Sequence, residues 1–341
     1  MTSKERILSA LQGKPADRIP VMLHNFMMAA REAGISMKEF RENPAAMAEA
    51  FIRSVEKYHF DGIMVDMDTV TLAGAAGVPV DFPEHEPART RGSRLTDLSD
   101  VYSLAPVDIS RYRYVNNWLE AVRLMTEQIG GDVYIRGNCD QDPFTLAGMI
   151  RGSADWMTDL YLAAEEDKTA LLEYCTGITC QFIRLMAQTG CHMVSNGDSP
   201  AGPDLIPPEM YVKYALPYEK RVSDEAHLQG LPYALHICGN TDLILEAMLG
   251  TGSDAFELDY KTDIRKIAAT FAGKATFIGN IDPSGVLALG TPDKIRQKTQ
   301  ELIKIMGPTN RFILNAGCAI PAETPEENLR AMIQCANGVM C

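Results

Sequence analysis

Short apolar runs of strand length recur along the chain and alternate with stretches of helical period. The runs fall at 18–23, 60–65, 132–136, 191–194, 231–237, 254–258, 275–279 and 311–314. A first helix is expected at 3–13, opened by the capping box Thr2-x-x-Glu5. A second box, Ser36-x-x-Glu39, opens a helical region that reaches Tyr58 with a break at Pro44. Trp118, Ala121, Val122 and Met125 share one side of a helix over 110–129. Asp142-Pro143 starts another, with proline at the first helical position. Further helices are expected at 153–165, 167–189, 207–229, 241–249, 264–271 and 291–306, and a last one from Thr324-Pro325 to about Val339. The stretch 73–108 is rich in Gly and Pro and has no clear period, so it reads as an insertion.

Alternation of strand and helix predicts a parallel sheet, and eight such units predict an α/β fold of (β/α)8 TIM-barrel type. The expected organisation is one barrel domain over 1–341 with an added N-terminal helix. An open doubly wound sheet gives a similar string. The barrel is favoured because polar residues follow nearly every strand, at the end where barrels carry their chemistry. These are His24, Asp66, Asn138, Asp140, Asn196, Asp198, Glu257, Asn280 and Asp282. Taken singly, an Asn or Asp there reads first as a helix cap or turn residue.

Composition narrows the partners. A formal charge of −13 argues against nucleic acid and anionic membrane surfaces. No apolar run reaches about 18 residues and the N-terminus has no apolar signal core, so a cytoplasmic protein is expected. The eight cysteines are scattered and suit thiols or metal ligands in a reducing compartment. A homo-oligomer is compatible with the sequence. Walker A, Gly-x-Gly-x-x-Gly and Gly-x-Ser-x-Gly patterns are absent. His59, His85 and His227 receive no role, and Cys335 and Cys341 are placed on or beyond the last helix.

The chemistry gathers at two strand ends. His236 and Cys238 close the fifth run, and Cys318 follows the eighth. Histidine with two cysteines is a donor set that suits zinc, and three protein ligands leave one coordination position open, as catalytic zinc requires. Residues two apart in an extended segment point the same way, so His236 and Cys238 can grip one ion. The 80 residues from Cys238 to Cys318 exclude a zinc finger and ask for a large fold. The bland alternative is a buried histidine and two inert thiols.

Nearly the whole chain resembles a known superfamily. The resemblance rests on Pro143-Phe144-Thr145-Leu146-Ala147 with Arg151-Gly152, His236-Ile237-Cys238-Gly239-Asn240, Gly279-Asn280-Ile281-Asp282-Pro283, Gly317-Cys318-Ala319-Ile320-Pro321, and Thr324-Pro325-Glu326 with Asn328. Together these are similar to the uroporphyrinogen decarboxylase superfamily. The His-x-Cys and Gly-Cys elements narrow the likeness to its corrinoid-dependent branch of methylcobamide:coenzyme M methyltransferases. That resemblance implies a (β/α)8 barrel with zinc on His236, Cys238 and Cys318. It implies methyl transfer, in anaerobic one-carbon metabolism, between a corrinoid such as methylcobalamin and a small molecule at the metal. The small molecule is a thiol acceptor or, in the reverse sense, a methyl ether, methanol or methylamine. Glu257 and Asp198 are candidates for the fourth zinc position at rest, and the nine polar residues named above are expected to shape the substrate pocket. No Asp-x-His-x-x-Gly corrinoid motif is present, so a separate corrinoid-binding protein is expected as partner. Two alternatives stand beside this reading: uroporphyrinogen decarboxylase itself and a non-catalytic zinc-containing binding protein. Against the decarboxylase, the segment after the first strand, His24 to Arg31, holds one arginine where the decarboxylase has an arginine-rich stretch for its carboxylated tetrapyrrole.

Overall fold

In the computed structural model, which describes residues 1–338, eight short strands run parallel in one ring. They are β1 (Met22–Leu23), β2 (Gly62–Val65), β3 (Tyr134–Gln141), β4 (Met193–Gly197), β5 (Tyr233–Ile237), β6 (Ala255–Leu258), β7 (Thr276–Ile281) and β8 (Phe312–Ala316). Each pairs in parallel with the next. A parallel bridge from Val21 to Leu314 closes the ring, and Leu314 N donates to the Pro20 carbonyl at 2.9 Å. Closure removes the sheet edges that an open doubly wound sheet would leave. The chain therefore forms a (β/α)8 barrel.

Period-two alternation sends every second residue of each strand into the lumen. The lowest layer is apolar: Met22, Tyr134, Met193, Ala234, Ala255, Ile278 and Ile313 meet Ile7 and Ala10 of the N-terminal helix Ser3–Gln12. The remaining strand, β2, contributes Gly62, where a Cβ would lie 3.1 Å from the Tyr134 carbonyl oxygen. This plug seals the end at which the strands begin. The capping box forms as expected, with Glu5 N donating to Thr2 Oγ1 and Thr2 N to Glu5 Oε2. Asp61, fully buried, clasps the seam beside β1: Arg18 binds both its oxygens at 2.6 and 2.7 Å, and Arg6 and Val21 N add 3.1 and 3.0 Å bonds.

Several boundaries move from their expected places. The first run, 18–23, yields only a two-residue strand, because Pro20 has no N–H to donate to a ladder. The third run continues past its expected end at Arg136 to Gln141, with a register shift after Asn138 and Asp140 at φ 62°. The helix expected over 207–229 divides at Ala215 into Pro208–Tyr214 and Leu216–Leu228, since Pro217 cannot bond back to Lys213. A helix at Phe26–Glu32, given no bounds from the sequence, packs through Phe26, Met28, Ala29 and Ala30. The excursion between β2 and β3 consists of the short helix Thr71–Ala75, an antiparallel pair Val80–Asp81 with Arg89–Thr90, and 3-10 turns at Leu98–Ser103 and Ile109–Arg111. The last helix is Glu326–Ala336, and Val339 and Cys341 lie outside the described residues. Among the described residues no helix is long and apolar enough to cross a membrane.

Candidate metal centre and lumen

His236 Nε2 lies 2.9 Å from Cys238 Sγ, Cys238 Sγ is 3.4 Å from Cys318 Sγ, and Cys318 Sγ is 3.8 Å from His236 Nε2. These half-buried groups form the one cluster of potential metal-binding side chains among the described residues, with all donor atoms within 4.8 Å of one another. Two turns bring them together. Gly239, at φ 86°, bends the chain after Cys238, and its N–H donates to Asp259 Oδ2 at 2.9 Å. Gly317 lets the turn after β8 lie on the turn after β6, where a Cβ would sit 2.8 Å from Tyr260 N.

The donors suit a soft divalent ion. His236 Nδ1 donates to the Glu257 carbonyl at 3.0 Å, which leaves Nε2 facing the two sulfurs. Hydrogen bonding from Cys318 holds the Cys238 thiol well below its ordinary range, against burial and with help from His236. The same bond, then burial, pushes Cys318 up. Burial opposes protonation of His236, but Cys238 outweighs it and raises the imidazole to about 9. The cup thus ionises as a thiolate–imidazolium pair whose proton a metal would displace. Tetrahedral zinc with these ligands has edges of about 3.5–3.8 Å. Two edges of the triangle already approach that, and the His236–Cys238 edge needs to open by about half an ångström.

A polar storey lies above the apolar plug. Arg136 Nη1 bonds Glu257 Oε2, from β3 to β6, which are not neighbours in the ring; the bond therefore crosses the lumen. Asn315 of β8 donates to Glu257 Oε1 at 3.3 Å, and His24 Nδ1 lies 3.7 Å from the same oxygen. Arg136 Nε donates to Ser195 Oγ at 2.8 Å, and Ser195 Oγ to Asn138 Oδ1 at 3.2 Å. Asn138 Nδ2 donates to Asp66 Oδ1 at 3.0 Å, and Asp66 Oδ2 meets His24 Nε2 at 2.6 Å. Burial opposes protonation of His24, yet Asp66 and then Glu257 raise it. Burial also opposes ionisation of Glu257, and the Arg136 charge, with both histidines, overcomes this and holds Glu257 below the usual carboxylate range.

Of the nine polar residues nominated for the pocket, His24, Asp66, Asn138 and Glu257 meet in this storey. The others do not join it. Asp140 accepts from Leu72 N at 2.6 Å at the start of the helix Thr71–Ala75. Asp198 accepts from Thr145 N and Oγ1 at 2.8 and 2.6 Å in the first turn of Pro143–Arg151, and Asn196 donates to the Cys139 carbonyl. Asp282 accepts from Ser284 N and Gly285 N, and Asn280 donates to the Asp259 carbonyl in a cleft beside Tyr260 and Val286, outside the ring. The cap reading therefore holds for Asp140, Asp198 and Asp282. Neither candidate for a fourth ligand belongs to the donor cluster: Glu257 is engaged by Arg136 and Asn315, and Asp198 faces the helices. Arg136, Ser195 and Asn315 were missed. Arg136 had a signal, since it shares a strand face with Tyr134 and Asn138.

Behind the strand wall sits a second group of fully buried acids. Tyr233 OH donates to Asp142 at 2.8 Å and Tyr211 OH to Glu219 at 2.6 Å, and the charge of Asp198 acts on Glu219. Burial raises Asp142 and Glu219 well above the usual range, and Asp198 to about 6 despite its bonds from Thr145.

A profile of the uroporphyrinogen decarboxylase (URO-D) family matches residues 2–339. The chain belongs to the URO-D family. Its relatives within and around that family include methylcobamide:CoM methyltransferase MtbA of Methanosarcina acetivorans, 30% identical over 341 residues, covering 98% of this chain and 97% of that one. Methylcobamide:CoM methyltransferase MtaA of Methanosarcina barkeri is 26% identical over 97% of this chain and 96% of its own. Uroporphyrinogen decarboxylase of a Synechococcus species is 28% identical over 98% of this chain and 96% of its own. A solved methyltransferase from Methanosarcina mazei superposes with a TM-score of 0.90 at 24% identity over 99% of both chains, which places this URO-D family member in the same fold.

Proposed function

We propose that this protein is a zinc-dependent methyltransferase that moves a methyl group between a corrinoid, carried by a partner protein, and a small molecule held at His236, Cys238 and Cys318. The observation that carries this reading is the convergence of three soft donors at the open end of a barrel whose other end is plugged. Relatives named methylcobamide:CoM methyltransferase support the same class of chemistry.

Zinc there supplies Lewis acidity, which holds a thiol as thiolate or polarises the oxygen or nitrogen of a methyl donor. The chain's own groups do the rest. The Glu257 carbonyl fixes the His236 tautomer, and Ser199 Oγ, accepting from Cys238 N at 3.1 Å, holds the Cys238 backbone in place. His24, Asp66, Arg136, Glu257 and Asn315 form a bonded, charged network in the lumen beside the cup. Two reactants must meet in line at the transferred carbon, so one sits in the cup and the other approaches from the mouth.

Decarboxylation of uroporphyrinogen is the competing reading, and relatives of that name support it. The charges favour it less. A polycarboxylate needs free cations. Arg31 instead pairs with Glu323 at 3.0 Å and donates to the Ala322 carbonyl at 2.9 Å, and Arg136 is taken up by Glu257.

Purified protein should hold about one zinc per chain, and Cys318→Ala should weaken its retention at least about a hundredfold. Wild-type protein that stays metal-free after zinc loading and dialysis sinks the reading. Demethylation of methylcobalamin by a thiol panel, and methylation of cob(I)alamin by methanol, methylamines or methoxyaromatics, test the two directions. Turnover of uroporphyrinogen to coproporphyrinogen, with neither methyl transfer seen alongside the native carrier, assigns the decarboxylase instead.

A further inference from the structure

We propose that the corrinoid-carrying partner docks on one arc of the barrel mouth, the turns after β4, β5, β6 and β7, through an apolar patch of its own fringed by basic residues. This deepens the methyl-transfer reading, which supplies the partner, and rests on it.

The turns after these four consecutive strands each raise one large apolar side chain into solvent. Leu205 is 62% exposed, Leu243 72%, Tyr260 45% and Leu289 84%. A single exposed leucine needs no explanation, but one such side chain on each of four neighbouring turns marks a surface that another protein covers. At the plugged end only Met1 and Leu228 are large, apolar and exposed among the described residues. The other side of the mouth is built differently. There Arg31 pairs with Glu323, Lys38 with Glu84 and Arg89 with Glu86, all at the surface. Paired charges of this kind stay wetted and give a partner little apolar area to bury.

The apolar arc borders the cup. Asp204, beside Leu205, abuts Gly239, the residue after Cys238. Tyr260 N lies 2.8 Å from the Cβ position of Gly317, the residue before Cys318. A partner seated here brings its load to His236, Cys238 and Cys318. Next to Tyr260, a cleft of about 410 Å³ walled by Ile264, Val286 and Leu302 offers a socket for an apolar side chain of that partner.

Charge decides between a carrier and a second copy of this chain. The exposed or half-buried acids of the four turns are Asp204, Asp242, Asp263 and Asp282, against the single cation Lys261. Of these acids Asp242 alone has an ion pair among the described residues, with Lys266 of the following helix. Two copies meeting through this arc would set the acids against one another, in a chain whose formal charge is −13. A carrier with a basic fringe gains from them instead.

The native carrier, purified by its corrin absorbance, and free cobalamin separate docking from chemistry, since free cobalamin needs no docking surface. In the double variant Leu243→Lys, Leu289→Lys, KM for the carrier should rise at least about tenfold while the rate with free cobalamin stays unchanged. Added salt should raise the wild-type KM for the carrier. Leu228→Lys, at the plugged end, should alter neither. If the double variant does not fold, Leu289→Lys, at the most exposed of the four positions, replaces it. An unchanged carrier KM in the folded variant overturns the proposal, as does an equal loss with free cobalamin or a carrier KM indifferent to salt. Sedimentation that shows a dimeric wild type and a monomeric variant gives the arc to a second copy and overturns it too. In each of these cases transfer by the wild type leaves the methyl-transfer reading standing. Wild-type protein that transfers methyl with neither carrier nor free cobalamin, in either direction, removes that reading and this inference with it.

Discussion

Glu219 keeps its proton where an ordinary glutamate would not, because burial, and then the charges of Asp198 and Asp142, disfavour its carboxylate. The unfolded chain has no such burden and releases that proton near the ordinary value of 4.5. The folded state therefore binds more protons above that pH, and the contribution to stability is lost as pH rises through the folded pKa. Asp198 behaves likewise up to about 6. Glu219→Gln retains an amide donor for Asp198 and removes the titration. It should match wild type near pH 4 and be the more stable of the two near pH 8. Urea unfolding at the two pH values checks this, and a gain confined to acid would refute it. The same residues show what a sequence leaves open. The donor set His236, Cys238 and Cys318 was visible from residue type and spacing, whereas the duties of Asp198 and Asn196 depend on which way β4 faces. Ser195 takes the lumen position there, so its neighbour Asn196 points to the helices. A one-residue error at a strand end reverses that assignment.

The turns after β5, β6 and β8 act as one assembly. Thr241 N donates to Thr262 Oγ1 at 3.0 Å, Thr262 Oγ1 to the Gly239 carbonyl at 3.1 Å, and Gly317 packs on Asp259 and Tyr260. A Cβ at Gly317 would meet the Asp259 and Tyr260 backbones at 3.1 and 2.8 Å, and backbone cannot swing aside as a side chain can. Gly317→Ala should destabilise by about 1–3 kcal/mol. It should also lift Cys318 from the cup and weaken zinc retention about tenfold or more. Gly177, exposed on the helix Glu165–Ala187 with nothing near its Cβ position, is the control: Gly177→Ala should stabilise by about 0.5–1 kcal/mol and leave zinc retention unchanged. Equal zinc retention in all three proteins would show that the turns do not position the ligand. Strand number was legible because apolar runs and helical periods alternate. Strand limits were not, since the bulge in β3 and the two-residue β1 are set by partners distant in sequence.

At the scale of the whole molecule, the barrel was readable from eight repeats of one alternation, while its closure depends on details no period reveals. Val21 reaches Leu314, and Asp61 binds two arginines beside the seam. The plug made by the N-terminal helix has a kinetic consequence. A lumen shut at one end has a single doorway, and under the proposed methyl transfer a carrier protein large enough to present a corrinoid would cover that doorway when it docks. A small reactant that arrives second has no path to the cup, and a product formed there leaves only after the carrier departs. Binding should therefore be compulsory in order, small molecule before carrier. Initial rates with both reactants varied should show the carrier, at high concentration, inhibiting competitively against the small molecule. A random-order pattern without such inhibition would mean that traffic reaches the cup by another way.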